Sequence, residues 1–183
     1  MRLSLKTIAI SIAATFTLSA TLSSCSSQKP KPDVVVKPVT VITDKDTYLD
    51  HNPCKLNDDQ RALIKEAFEW LGTPYAYACD AKGKGTDCSG MTMRIYLDVL
   101  NVKLPRNSAK QAEACKEIKK EQLRPGDLVF FATGKDPKRI SHVGIMVSDR
   151  EFIHASSSKG VQINSLDSPY YTRTFIKAGR VER

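Results

Sequence analysis

The absences in this sequence narrow the field first. None of its five cysteines stands in a Cys-x-x-Cys pair, so the ordinary spacing of a structural zinc site is missing. No motif implies a metal or an organic cofactor. The longest apolar run, Ile8 to Leu18, is interrupted by Ser11, Thr15 and Thr17 and is too short to cross a bilayer as a permanent helix. There is no internal repeat and no sign of a second folded domain. Histidine is scarce, with three residues in 183. The 28 Lys and Arg outnumber the 20 Asp and Glu, yet the lysines are scattered. No basic stripe carries interleaved aromatics, which argues against nucleic acid as the partner.

What is present begins with an address. Arg2 and Lys6 precede the short apolar run, as in a secretory signal peptide. Its end, Leu22-Ser23-Ser24-Cys25, resembles the lipobox of bacterial lipoproteins. That resemblance implies removal of residues 1–24 and lipidation of Cys25. Export and anchoring to a membrane follow as expectations. Ser26 next to the cysteine favours the outer membrane, facing the periplasm, if the cell is Gram-negative. Loss of Arg2 and Lys6 leaves a mature chain with 26 basic and 20 acidic residues, still suited to an anionic partner such as a wall polymer or lipid head groups. Residues 25–47 are polar and Pro-rich and read as an extended tether, leaving 48–183 as one domain of ordinary size.

Within that domain, helices come first and strands second. Asn57 followed by Gln60 is a capping box, and Leu63, Ala67, Trp70 and Leu71 form an apolar stripe that ends at Gly72 and Pro74. Residues 75–87 read as a loop. Met91, Ile95, Tyr96 and Val99 recur at helical spacing after Asp87, so a second helix is expected from Cys88 to about Val99. Residues 105–115 hold a turn and a short helix. Short apolar runs at 127–131, 142–147, 151–154, 160–163 and 174–176, separated by turn residues, read as strands. The order predicts an α+β fold, with N-terminal helices packed on an antiparallel sheet of about five to six strands.

Cys88 stands at the start of the second helix, where backbone N–H groups and their partial positive charge favour thiolate over thiol. Taken alone, such a cysteine is more often a small buried apolar residue. His142 follows 54 residues later at a strand start, and His154 lies 12 residues beyond it across the turn Ser148-Asp149-Arg150. That spacing can make the two imidazoles neighbours on adjacent strands. His142 is then a candidate base for the Cys88 thiol, and His154 a third group that fixes its tautomer. His51 reads as a surface residue. If Cys88 stays free, two of Cys54, Cys79 and Cys115 can pair as a disulfide, or Cys79 can compete for oxidation with Cys88.

Gly72-Thr73-Pro74-Tyr75, Asp87-Cys88-Ser89-Gly90, Leu104-Pro105-Arg106-x-Ser108-x-x-Gln111, Leu123-x-Pro125-Gly126-Asp127, His142-Val143-Gly144-Ile145, Phe152-Ile153-His154-Ala155, Tyr171-x-Arg173 and Gly179-Arg180-Val181 occur in that order. Together they resemble the NlpC-type papain-like cell-wall peptidases over residues 56–181. The resemblance implies a trimmed papain-like fold and hydrolysis of amide bonds in peptidoglycan stem peptides, commonly between γ-D-glutamyl and a diamino acid such as diaminopimelate. It implies Cys88 as nucleophile, His142 as base and His154 as polar orienter. Tyr75 either helps hold the oxyanion or simply packs. Asp87 and Ser89 either face substrate or, for Asp87, cap the helix. Arg106 and Ser108 belong to a loop near the cleft, where Arg106 is alternatively an ion-pair partner. The chain departs from the family at Ala76-Tyr77-Ala78-Cys79-Asp80, where Gly-Gly is frequent. A monomer is the expected state. The alternatives are an amidase or acyltransferase on the same scaffold, or a wall-binding lipoprotein without catalysis.

Overall fold

The computed structural model describes residues 45–182. The expected signal peptide, Cys25 and nearly all of the expected tether lie outside the described residues. The first described element, helix α1 (Lys45–Asp50), crosses the expected tether boundary at Thr47. It forms because the segment has apolar surface to bury. Tyr48 and Leu49 are buried, and the Tyr48 ring lies 4.8 Å from that of Phe68. The Tyr48 hydroxyl donates to Glu151 at 2.8 Å, and the Asn52 amide donates to the Val147 carbonyl at 2.7 Å.

Helix α2 (Asp58–Phe68) opens with the expected capping box, in which Asn57 accepts from the Gln60 N–H and Gln60 accepts from the Asn57 N–H. Two acids in its first turn face the positive end of the helix dipole. Leu63, Ala67 and Trp70 are buried, but Leu71 is exposed. The apolar stripe stops short of Leu71 because the helix itself ends at Phe68, and the chain then turns out through Gly72 at φ +77°. The expected loop at 75–87 contains a small ribbon, β1 (Asp80–Ala81) with β2 (Gly85–Thr86). Helix α3 (Cys88–Leu100) is one residue longer than expected and ends in a left-handed Asn101. Helix α4 (Ser108–Ala114) follows, with Asn107 as its cap.

The remaining strands are β3 (Lys116–Ile118), β4 (Leu128–Phe131), β5 (His142–Met146), β6 (Glu151–Ser156), β7 (Gly160–Ser165) and, after helix α5 (Pro169–Thr174), β8 (Phe175–Arg180). β3 through β8 form an antiparallel sheet in the order β3-β8-β4-β5-β6-β7. The fold is α+β, and the six strands of this sheet lie at the upper end of the expected five to six. Strand β3 escaped the sequence reading because Lys116-Glu117-Ile118 is mostly exposed and has no alternating pattern. It pairs at the sheet edge with β8.

Both faces of the sheet are covered, so β4 and β5 are buried at every position. One face, carrying Leu128, Phe130, Val143, Ile145 and Ile153, packs in the same core as α2 and α3. The other carries Val129, Phe131, Met146 and Phe152, packed with Leu166 and the ring of Tyr171 from α5. Two Arg–Asp pairs, each with a buried carboxylate and a partly exposed guanidinium, tie segments together. Arg180 on β8 grips Asp127 with Nε–Oδ1 at 2.7 Å and Nη2–Oδ2 at 2.8 Å. The second pair, Arg106 with Asp87, lies at the head of α3.

Candidate active site

The head of α3 is built by Asp87. Its extended backbone makes it the helix cap, and Oδ1 accepts from the Gly90 N–H at 2.8 Å and the Ser89 hydroxyl at 3.1 Å. Oδ2 accepts from the Ala78 N–H at 2.8 Å. Arg106 then closes on the carboxylate with both arms, at 2.7 and 2.6 Å. Burial alone pushes the Asp87 pKa up; the Arg106 hydrogen bonds, the Gly90 N–H, the Arg106 charge and Ser89 outweigh it and hold it below the usual range. Gly90 is required for this packing. A Cβ there would lie 2.4 Å from the Cys79 carbonyl oxygen, which Arg106 also holds at 3.1 Å.

These contacts decide several of the expectations. Asp87 is the cap and Arg106 its ion-pair partner, with both guanidinium arms committed. The Ser89 hydroxyl is spent between Asp87 and Arg106, so neither Asp87 nor Ser89 faces the cavity that Cys88 lines. Ser108 is also outside it. It lines a neighbouring cavity with Asn107, Lys135 and Arg139, which shares only Ser141 with the first. Cys54, Cys79, Cys88 and Cys115 are all free thiols. The possible disulfide does not form because the three candidates occupy three places. Cys54 follows α1, Cys79 lies on the loop against α3, and Cys115 packs under Gly179 of β8. His51 is exposed, as expected.

The cavity that Cys88 does line has a volume of about 430 Å³ and also presents Tyr75, His142 and His154. Cys88 is 8% exposed and the sulfur lies within reach of the Val143 N–H, next in the chain to His142. A helix head by itself lowers a thiol pKa. The structure reverses it: burial pushes the thiol up to about 11. The Val143 N–H lowers it, the Asp87 charge raises it further, and the N–H groups of Ser89 and Cys88 pull it back only in part. Tyr75 is half-buried beside this thiol, and its hydroxyl is raised by burial first and by Cys88 and Asp87 next.

The opposite wall comes from the sheet. His142 faces Phe131 across the β4–β5 pair, and His154 lies on β6. Their rings meet edge to face, with His142 Nε2 2.9 Å from His154 Nδ1. Gly144 makes room for this contact. A Cβ there would lie 2.6 Å from the Phe152 ring and 2.9 Å from the Ile153 carbonyl. Burial pushes the His142 pKa down to about 4, and burial plus the charge of His142 pushes His154 down to about 3. At neutral pH the thiol and both imidazoles are therefore uncharged. Nε2 of His142 is occupied by His154, which leaves Nδ1 as the nitrogen free to exchange a proton with a group in the cavity.

A cysteine at a helix head and a histidine pair on a sheet, sharing one cavity, is the arrangement that sequence relatives can now be set beside. The NlpC/P60 family description matches residues 72–180. The chain belongs to the NlpC/P60 family. It is 38% identical to the probable endopeptidase NlpC of Escherichia coli over 160 residues, 87% of this chain and 92% of that one. It is 36% identical to the murein DD-endopeptidase MepS/murein LD-carboxypeptidase of Escherichia coli over 126 residues, 68% of this chain and 65% of that one. Among solved structures, an NlpC/P60 family protein from Bacillus cereus matches with a TM-score of 0.62 at 32% identity, covering 71% of this chain and 41% of that one.

Three parts of this NlpC/P60 site escaped the sequence reading. Gln111, fully buried, donates to the carbonyls of Ser89 and Pro105 and accepts from Thr92, so it fixes the Arg106 loop to α3. Its place in the Arg106-containing motif was the available signal. Asn164 on β7 and Tyr171 on α5 both reach His154 Nε2 at 3.0 Å. Asn164 had no local signal, because it depends on which strand lies beside β6.

Proposed function

We propose that this protein is an exported, lipid-anchored cysteine endopeptidase that hydrolyses amide bonds in peptidoglycan stem peptides. Cys88 is the nucleophile, His142 the base and His154 the group that orients it. The carrying observation is the shared cavity of Cys88 and His142, with His142 Nε2 held by His154. In the resting site both partners are neutral, so His142 acts as a general base while the sulfur attacks, rather than as half of a standing ion pair. Attack gives a tetrahedral oxyanion, and the N–H groups near the sulfur are the donors placed to hold it. Each such donor contributes about 3 kcal/mol in the transition state. The Tyr75 hydroxyl is the candidate side-chain donor. The imidazolium then protonates the leaving amine, and water releases the acyl group from Cys88.

The bond most in keeping with the family resemblance is γ-D-glutamyl to a diamino acid. Similarity to MepS favours a second reading, cleavage of D,D cross-links. Digestion of purified muropeptides by the wild type and Cys88→Ala, with products identified by mass, tests both. The wild type is expected to cut a stem peptide and Cys88→Ala to cut nothing. Split cross-linked dimers with intact stems select the D,D bond, and peptide-free sugar together with free intact stem peptide would select an amidase instead. Anchoring rests on Cys25. Cys25→Ala is expected to leave in vitro hydrolysis within about twofold of wild type and to move the protein from the membrane to the soluble fraction, because lost acyl chains remove about 0.8 kcal/mol per CH₂.

A further inference from the structure

His154 Nε2 has two partners at the same distance. Asn164 Nδ2 and the Tyr171 hydroxyl both lie 3.0 Å away. A neutral imidazole nitrogen offers either one proton or one lone pair, so the two partners have to agree on which it is. That choice is transmitted. If Nε2 accepts a hydrogen bond from the Asn164 amide N–H, the His154 proton sits on Nδ1 and donates to His142 Nε2. The proton of a neutral His142 is then on Nδ1, and it has no lone pair free for the Cys88 thiol. If Nε2 carries the proton instead, His154 Nδ1 accepts from His142 Nε2–H. His142 Nδ1 is then a bare lone pair.

We propose that Asn164 and Tyr171 are positioning residues that set the proton direction along the His154–His142 pair and thereby arm or disarm His142 as a base. The armed state has the Asn164 amide turned half a revolution about its Cβ–Cγ bond, so that its oxygen accepts from His154 Nε2–H, with the Tyr171 hydroxyl oxygen a weaker second acceptor that does not hold this state alone. In the armed state the Cys88 S–H proton passes to the His142 Nδ1 lone pair as the sulfur forms its bond to an electrophilic carbon, so the S–H bond breaks while the S–C and N–H bonds form. The imidazolium still donates from Nε2 to His154 Nδ1, so the same chain supports it. The disarmed state is the one with Asn164 Nδ2 donating. Both residues line the cavity, so a bound substrate that takes hydrogen bonds from the amide can bias the choice. The inference rests on the roles proposed above for Cys88 and His142.

The surroundings suit such a device. The titratable groups facing His154 are His142 on β5 and Tyr171 on α5. Across the cavity stand Cys88, Tyr75, Tyr170 and Lys159, and among the described residues no carboxylate lines it. With no anion to dictate the tautomer, the neutral amide and hydroxyl decide it. Burial keeps the Tyr171 hydroxyl protonated, with its pKa pushed up to about 12, so it can donate or accept but does not act as an anion.

The test uses the purified full chain as wild type, Asn164→Leu, Asn164→Asp and Tyr171→Phe. Two readouts are taken against pH: kcat and KM on muropeptides, and the rate of iodoacetamide alkylation of the Cys88-containing peptide, followed by mass. Asn164→Leu is expected to lower kcat by about 100-fold with KM nearly unchanged, the low end of what a correctly placed general base contributes, and to slow Cys88 alkylation in parallel. Asn164→Asp, an acceptor of the same shape, is expected to restore kcat and to move the acid limb of both profiles up by about one pH unit, because a carboxylate favours protonated imidazole. Tyr171→Phe is expected to cost less, since Asn164 remains. Wild-type kcat and alkylation in Asn164→Leu would overturn the proposal. If that variant does not fold, an unshifted acid limb in folded Asn164→Asp overturns it equally. Alkylation needs no peptidoglycan, so a wild type that cuts no muropeptide would sink the proposed activity while the proton-direction idea is still decided by the Cys88 rates.

Discussion

The two walls of the cleft are built on opposite electrostatic plans. The Cys88 wall is charged underneath: a buried carboxylate, Asp87, is saturated by Arg106, Gly90, Ala78 and Ser89. On the histidine wall no charged side chain among the described residues touches either imidazole. His142 and His154 lie among Phe131, Phe152 and Tyr171, with imidazole–imidazole, amide and hydroxyl contacts only. The comparison teaches that rigidity and reactivity are assigned to different sides. A clamped ion pair fixes the place of the sulfur but leaves the thiol neutral. A neutral chain of imidazoles has a proton direction that can be reversed by small rotations.

Acid should affect the histidine wall most. His142 titrates near 4 when folded and near 6.5 when unfolded, so the unfolded chain binds more protons between those values. Stability is therefore full above about pH 6.5 and falls as pH drops toward 4, by about 3 kcal/mol for His142 alone, with His154 adding in the same direction. Denaturant unfolding between pH 7 and 4 should show this loss, and His142→Gln with His154→Gln should flatten it. An equal slope in that double variant would mean that the acid sensitivity lies elsewhere.

The charged wall is tested by Arg106→Ala. It strips a bidentate partner from a buried carboxylate, and with Arg106 partly exposed the expected cost is about 2 kcal/mol, less than for a fully buried pair. Chemical denaturation measures it, and Arg106→Lys should recover only part because one ammonium cannot span both oxygens. The smallest effect sharpens the picture. Ala78 holds a left-handed φ of 60° so that its N–H can reach Asp87. Ala78→Gly should stabilise by about 1 kcal/mol by relieving that conformation. A loss of stability would show that the Ala78 methyl packs more usefully than its strain costs.

The two walls also differ in how much of them could be read in advance. Asp87-Cys88-Ser89-Gly90 announces a cap, a helix start and a close approach within four residues, because helix ends are governed by local hydrogen bonding. The capping box at Asn57 and the stripe through Ile95 were legible for the same reason. His142 and His154 were readable as a pair only through the short turn between their strands. The roles of Asp87, Ser89, Arg106 and Ser108 were not separable, since whether a polar side chain faces substrate or a buried partner depends on residues far along the chain.

The sequence by itself determined the α+β order, the helix heads, the strand alternation and the candidates Cys88, His142 and His154, because each depends on contacts within a few residues. Tertiary structure alone decided that Arg106 belongs to Asp87, that Ser108 opens onto another cavity, that the four described thiols stay apart and that Asn164 and Tyr171 meet at His154. Those outcomes depend on which strand lies beside which, and on how far burial outweighs the helix head in setting the thiol's charge. Neither quantity exists until the sheet has closed over the helices.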